Sequence, residues 1–189
     1  MPNNKIFAFV GTTGVGKTYY SKYLIDKYGF VHIHSTTTRP PREKNSDEYN
    51  HLSVNEFIEL IERGEMLEYT KFNGHYYGKR KSDFSTSEDK HHVITMTPDR
   101  IAEVKSQLPN TVFIHLTLEN PVVENTVRRI SDRNLSDKEI ADRIETIKTD
   151  LKYLDSAQKA GLIDHKVITV EGNKNVTYGL LDEIIHAYL

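Results

Sequence analysis

The chain opens on an apolar run, Lys5 to Val10, and further runs follow at Val31 to His34, His92 to Thr97, Thr111 to Leu118 and Lys166 to Val170. Each is short and rich in β-branched or aromatic residues, as a buried strand should be. Between most of them the apolar positions recur with helical period. Tyr19 to Lys27 follows the first run. Thr97-Pro98 and Asn120-Pro121 each place a cap residue before a proline at the first helical position, which predicts strands that run directly into helices. Ser136-Asp-Lys-Glu139 is a capping box, and Ile140, Ile144, Ile147, Leu151 and Leu154 beyond it fall on one stripe. A last helix from about Val176 is expected to turn Leu180, Leu181, Ile184, Ile185 and Tyr188 inward. This alternation predicts an α/β fold, a three-layer sandwich whose central, mainly parallel sheet is covered on both faces.

Two stretches break the rhythm. Residues 35–82 are rich in Thr, Arg, Tyr and Glu, with a short helix at Ser53 to Arg63 and short strands at Met66 to Phe72 and Gly74 to Tyr77; they read as an inserted lobe. Residues 125–146 gather Arg128, Arg129, Arg133 and Arg143 around a polar turn and read as a lid. A single domain over residues 1–189 is expected, with 1–34, 83–124 and 147–189 as its core.

Gly11-Thr12-Thr13-Gly14-Val15-Gly16-Lys17-Thr18 matches the phosphate-loop pattern G-x-x-x-x-G-K-[ST] without a gap, and it stands between the first strand and the first helix, as its mechanism requires. The glycines let backbone N–H groups converge on phosphates, and the helix N-terminus adds partial positive charge. Lys17 is expected to bridge the β- and γ-phosphates of ATP, and the Thr18 hydroxyl to bind magnesium. These features point to a P-loop NTPase core.

Composition narrows the partners. The 189 residues, 37% of them hydrophobic, suffice for one sizeable core. Lys plus Arg number 25 against 27 for Asp plus Glu, a formal charge of -2 that offers no general attraction to a nucleic-acid polymer or an anionic membrane. A small-molecule substrate and a local basic site are expected instead. Cysteine is absent, which excludes disulfides and thiolate metal sites. With no signal-peptide pattern and no run of membrane-spanning length, the expected location is the cytoplasm. His32 with His34, and His91 with His92, form the nearest approach to a metal-binding pattern, but no carboxylate or thiolate spacing accompanies them.

The inserted lobe carries the acceptor chemistry. Arg39 and Arg42 stand in a Pro-interrupted loop where both guanidinium groups can converge on one phosphate, and Tyr49 and Tyr77 can add neutral donors. Glu68 offers two adjacent acceptor oxygens, which match the N1–H and exocyclic amine of guanine; adenine has an unprotonated N1 there. Taken in order, Ser35-Thr-Thr-Thr-Arg39-Pro-Pro-Arg42, Glu48-Tyr49, Gly64-Glu-Met-Leu-Glu68-Tyr69 and Gly74-His-Tyr-Tyr77-Gly78 resemble the successive GMP-binding motifs of guanylate kinases. With the phosphate loop and the lid, the similarity spans almost the whole chain. It implies that Ser35 and Glu68 contact guanine and that Arg39, Arg42, Tyr49 and Tyr77 contact the acceptor phosphate. Gly78 and Lys79 complete that site, and Arg128, Arg133 and Arg143 act with Lys17 in catalysis. The implied reaction converts GMP or dGMP to the diphosphate with ATP and magnesium, in a monomer or homodimer.

The chain also departs from that family. Thr95 and Thr97 stand where two aspartates are usual, Lys79 replaces a Ser or Thr and adds a charge able to grip the phosphate or contact the sugar, and Thr169 replaces an Asn near the adenine. Two residues are missing between Arg42 and Tyr49, and the match near Arg133 needs a one-residue gap. Two alternatives stay open at this point. A small-molecule kinase resembling ribose 1,5-bisphosphate phosphokinase shares the phosphate loop and lacks the paired aspartates, but it also lacks the guanine-reading glutamate. A non-catalytic guanylate-kinase-like binding module is expected to carry a degraded phosphate loop, whereas Gly16, Lys17 and Thr18 are intact here.

Overall fold

The computed structural model describes residues 4–41, 49–72, 74–84, 90–131 and 136–189, apart from the side chains of Ile130, Ser131 and Asp137. Arg42, Glu48 and Arg133, singled out above, lie outside the described residues.

The chain runs β1 (Ile6–Val10), α1 (Lys17–Tyr28), β2 (Val31–His32), β3 (Ser35–Thr37), β4 (Tyr49–His51), α2 (Val54–Glu62), β5 (Met66–Phe72) and β6 (His75–Arg80). Then follow β7 (His92–Thr95), α3 (Ile101–Gln107), β8 (Thr111–Thr117), α4 (Val122–Ser131), α5 (Asp137–Lys159), β9 (His165–Ile168) and α6 (Lys174–His186). Strands β2-β7-β1-β8-β9 form one five-stranded sheet, every pairing in it parallel. Parallel neighbours need crossovers, and helices supply them on both faces.

Alternation along the central strands divides the core. Phe7 and Phe9 of β1 join Val112, Ile114 and Leu116 of β8 on the face packed by Tyr20 and Leu24 of α1 and Leu181 and Ile185 of α6. Ala8 and Val10 join Phe113 on the other face, with Ile101 and Val104 of α3 and Leu154 and Ala157 of α5. Helix α6 is tied to α1 by Asp182, whose Oδ1 accepts from Tyr23 and Tyr28 at 2.7 and 2.6 Å while Oδ2 pairs with Lys27 at 2.6 Å. Leu181 and Ile185 fill the inward stripe of α6, and Leu180, one residue round the helix and 39% exposed, lies outside it, contrary to the sequence expectation.

The lobe is a separate sheet of order β4-β3-β6-β5, with β3/β6 and β5/β6 antiparallel. Its small core is Phe57 and Leu60 of α2 with Met66 of β5, and Tyr76 stacks on Phe57 with ring centroids 5.3 Å apart. Helix α2 begins at a complete capping box, Ser53 with Glu56, as its sequence predicts. The strand expected over Val31 to His34 is shorter: β2 ends at His32 in the central sheet, and the next strand, β3, begins at Ser35 in the lobe. The two residues between carry the chain from core to lobe.

Candidate active site

Between the central sheet and the lobe lies a cleft of about 770 Å³. The loop after β1 forms one end. Gly11 must be glycine: its φ is +150°, and a Cβ there would sit 2.3 Å from the Leu116 carbonyl oxygen of β8. Helix α1 starts at Lys17, earlier than the Tyr19 expected, so Lys17 and Thr18 belong to the first turn, whose N–H groups have no partner within the helix. Lys17 Nζ donates to the carbonyl oxygens of Gly11 and Thr12 at 2.7 and 2.9 Å. Burial lowers the Lys17 pKa to about 8, against the opposing attraction of Asp150. The Thr12 hydroxyl is buried without a hydrogen-bond partner among the described residues.

The lobe forms the other end. One face of its sheet presents Ser35 and Thr37 from β3, Tyr77 from β6, and Glu68, Thr70 and Phe72 from β5 to the cleft, at strictly alternating positions. Gly78, next to Tyr77, admits no side chain, since a Cβ would lie 2.4 Å from the Glu68 carbonyl oxygen. Arg39 lines the cleft beside Tyr49, whose ring meets that of Tyr77 edge-on with centroids 6.0 Å apart. His51 Nδ1 lies 2.7 Å from the Arg39 carbonyl oxygen and ties β4 to the arginine's loop. Glu68 is 5% exposed, and burial pushes its carboxyl up, opposed chiefly by the Lys79 ammonium and the Arg100 guanidinium. Lys79 is buried behind Ser35, to which its Nζ donates at 2.6 Å, and does not itself line the cleft.

The roof is α5. Arg143, Thr146, Thr149, Asp150 and Tyr153 turn a polar stripe toward the cleft, while Ile147 and Leu154 enter the core. Asp150 is raised from 3.8 to about 6 because burial outweighs the attraction of Lys17. The cleft floor includes Thr95, Met96, Thr97 and Asp99. Thr97 occupies the cap position before Pro98 but makes no side-chain cap bond. Thr169 is buried and its hydroxyl donates to Thr117 O at 3.2 Å. Arg128 on α4 is exposed, pairs with Glu171 at 2.6 Å and is not part of the cleft lining.

The structure thus gathers Gly11, Thr13, Gly14, Gly16, Lys17 and Thr18 of the phosphate loop with Ser35, Arg39, Tyr49, Glu68, Tyr77, Gly78 and Arg143 around one cavity, while Thr12 is buried beside it and Val15 enters the core. Sequence reasoning missed Asp99, Thr146, Thr149 and Asp150. The last three share the helical spacing of Arg143, a signal that was present in the chain. His32 and His34 stack edge-on at 4.4 Å, and among the described residues no group of three His, Asp or Glu side chains gathers about them or elsewhere. No described helix is long and apolar enough to cross a membrane.

A phosphate-binding loop at the carboxyl end of the central strand, facing an inserted lobe across a cleft, defines a P-loop kinase of small molecules. A family model described as Guanylate kinase matches residues 3–188. The guanylate kinase of Thermotoga maritima is 31% identical over 162 residues, covering 80% of this chain and 75% of the relative. That of Lactococcus lactis subsp. lactis is 28% identical over 192 residues, covering 97% and 93%. In fold, the chain matches the crystal structure of guanylate kinase from Anaplasma phagocytophilum with a TM-score of 0.70 at 18% identity, over 99% of this chain and 87% of that one. A shikimate kinase from Acinetobacter baumannii matches with a TM-score of 0.54 at 15% identity, covering 100% and 97%. The chain belongs to the guanylate kinase family, and is a nucleoside monophosphate kinase.

Proposed function

We propose that the chain transfers the γ-phosphoryl group of ATP to GMP, with dGMP as a second acceptor, and that the two ends of the cleft divide the work. The observation that carries this is Glu68: a carboxylate 5% exposed, facing the cleft, with no hydrogen bond or ion pair to any described residue. A carboxylate whose residue is almost wholly buried but whose side chain lines the cleft is well placed to accept charge-assisted hydrogen bonds from a ligand that brings donors. Guanine brings two, side by side.

Lys17 and the first-turn N–H groups of α1 hold the triphosphate. The close-packed loop at Gly11 suits a phosphate chain, and the hydroxyl of Thr18, which lines the cleft, would hold a magnesium ion. That ion, when bound, neutralises charge on the phosphates. Arg39, Tyr49 and Tyr77 grip the acceptor phosphate, and Arg42 belongs with them by sequence. Transfer passes through a transition state whose charge spreads over the phosphoryl oxygens, so cation placement decides the rate. Arg143 stands in the cleft wall between donor and acceptor ends. Arg128 joins it when the lid, residues 125–146, closes and the Glu171 pair opens; Arg133 is assigned to the same lid by sequence alone. Closure excludes water that would otherwise compete as acceptor. The protein works in the cytoplasm as a monomer or homodimer.

The test replaces Glu68 by Ala and follows GDP formation. Loss of two charge-assisted bonds should lower kcat/KM for GMP by about 100-fold and leave the KM for ATP within about twofold. GMP turnover at the wild-type rate by this variant would refute the base-reading role.

A further inference from the structure

Three adjacent strands of the lobe bring one row of side chains together. Lys79 on β6 is the register partner of Glu68 on β5, and the β3–β6 register of Thr36 with Gly78 and Thr37 with Tyr77 sets Ser35 alongside Lys79. Residues paired directly across strands share a face. The outer two members, Ser35 and Glu68, line the cleft; the middle one does not. Lys79 is 1% exposed; burial lowers its pKa, opposed by the charges of Glu68 and Asp83, and its Nζ donates to Ser35 Oγ at 2.6 Å. An ammonium group has donors and no acceptor, so the Ser35 oxygen must accept from it. With that lone pair engaged, the Ser35 hydrogen cannot point at Lys79, and the buried positive charge behind the hydroxyl opposes a second donor in front of it.

We infer that Lys79 is a positioning residue that fixes the Ser35 hydroxyl as a donor into the cleft, so that the row selects a base with an acceptor atom beside the two donors met by Glu68. The inference rests on the GMP reading. On guanine that acceptor is O6. On adenine the same place carries an amine, a donor facing a donor. A buried lysine thereby acts on base choice through another side chain, without touching the base, at a position where an uncharged hydroxyl would leave the Ser35 rotor free.

The experiment compares GMP with 6-thioguanosine monophosphate, which keeps both donors but replaces O6 by sulfur, a weak acceptor. Steady-state kinetics at fixed ATP are measured for the wild type, Lys79→Met, Lys79→Gln, Ser35→Ala and the double variant Lys79→Met with Ser35→Ala. The wild type should favour GMP in kcat/KM by about 10-fold, and Lys79→Met and Ser35→Ala should each reduce that ratio to about 2-fold. The double variant should show no further loss, because both changes remove one device. Lys79→Gln, whose amide can still donate to Ser35, should keep the ratio. A merely structural lysine would affect both acceptors equally and leave the ratio unmoved. Full discrimination in Lys79→Met, or additive losses in the double variant, would overturn the inference. Should Lys79→Met fail to fold, discrimination retained by Ser35→Ala or lost in a folded Lys79→Gln would overturn it instead. A wild-type protein without GMP turnover would overturn the acceptor reading as well; discrimination surviving in an enzyme active on GMP overturns the role of Lys79 alone.

Discussion

Glu68 and Asp150 are both carboxylates drawn into the cleft, and burial raises both, yet their neighbours set them different tasks. Glu68 stands on the lobe sheet and faces the cleft, beside Lys79 and two strands from Ser35. Asp150 faces the phosphate loop, where its charge supports the protonated form of Lys17. The folded chain holds the Asp150 proton up to about pH 6, against 3.8 for the ordinary group. Between those values the folded state binds more protons than the unfolded one, so this group makes stability fall as pH rises through the window. Asp150→Asn should therefore raise the melting midpoint at pH 7, by an effect of order 1 kcal/mol once partial exposure is allowed for, and the gain should shrink toward pH 4. Thermal melts at the two pH values check this; a variant less stable than the wild type at pH 7 would contradict it. Glu68 was legible in the chain because guanine's edge calls for one carboxylate and the motif order supplied it. Asp150 was not, because a lone acid on an amphipathic helix looks like any solvated charge until its burial is known.

At the scale of elements, capping chemistry placed the helices more reliably than apolar runs placed the strands. Ser53 with Glu56 and Ser136 with Glu139 form both bonds of their boxes. Ser53→Ala should destabilise the protein by about 1 kcal/mol in urea unfolding, an effect that retention of wild-type stability would rule out. The break between β2 and β3 was hidden, because nothing in Val31 to His34 marks where one sheet hands the chain to another. Helix α5 shows why the lid boundary was hard to draw: it runs unbroken from Asp137 to Lys159, so the arginine assigned to the lid and the aspartate near Lys17 share one helix. The Arg128–Glu171 pair, with side chains 67% and 57% exposed, contributes little stability. Arg128→Ala should leave the melting midpoint within about 1 °C and lower kcat about 10- to 100-fold if lid closure brings the guanidinium to the phosphates. Unchanged kcat would remove Arg128 from the catalytic group.

For the whole molecule, the alternation of strand and helix announced a parallel sheet with both faces covered, and the opposed clusters around Phe9 and Val10 realise it. The order β2-β7-β1-β8-β9 was not legible, since its three central strands are buried on both faces and pattern alone does not rank neighbours. What the order achieves is functional: it centres β1, so that the phosphate loop opens into the cleft with the lobe on one side and α5 above. The central claim is that this cleft joins ATP to a guanine monophosphate. Its most direct test is ADP release by the wild-type protein, coupled to a spectrophotometric readout, with GMP, dGMP, AMP, CMP and UMP offered in turn in the presence and absence of magnesium. The account predicts magnesium-dependent release with GMP and dGMP, exceeding that with AMP by about 100-fold or more in kcat/KM. ADP release indifferent to the monophosphate added, or highest with AMP, would contradict it.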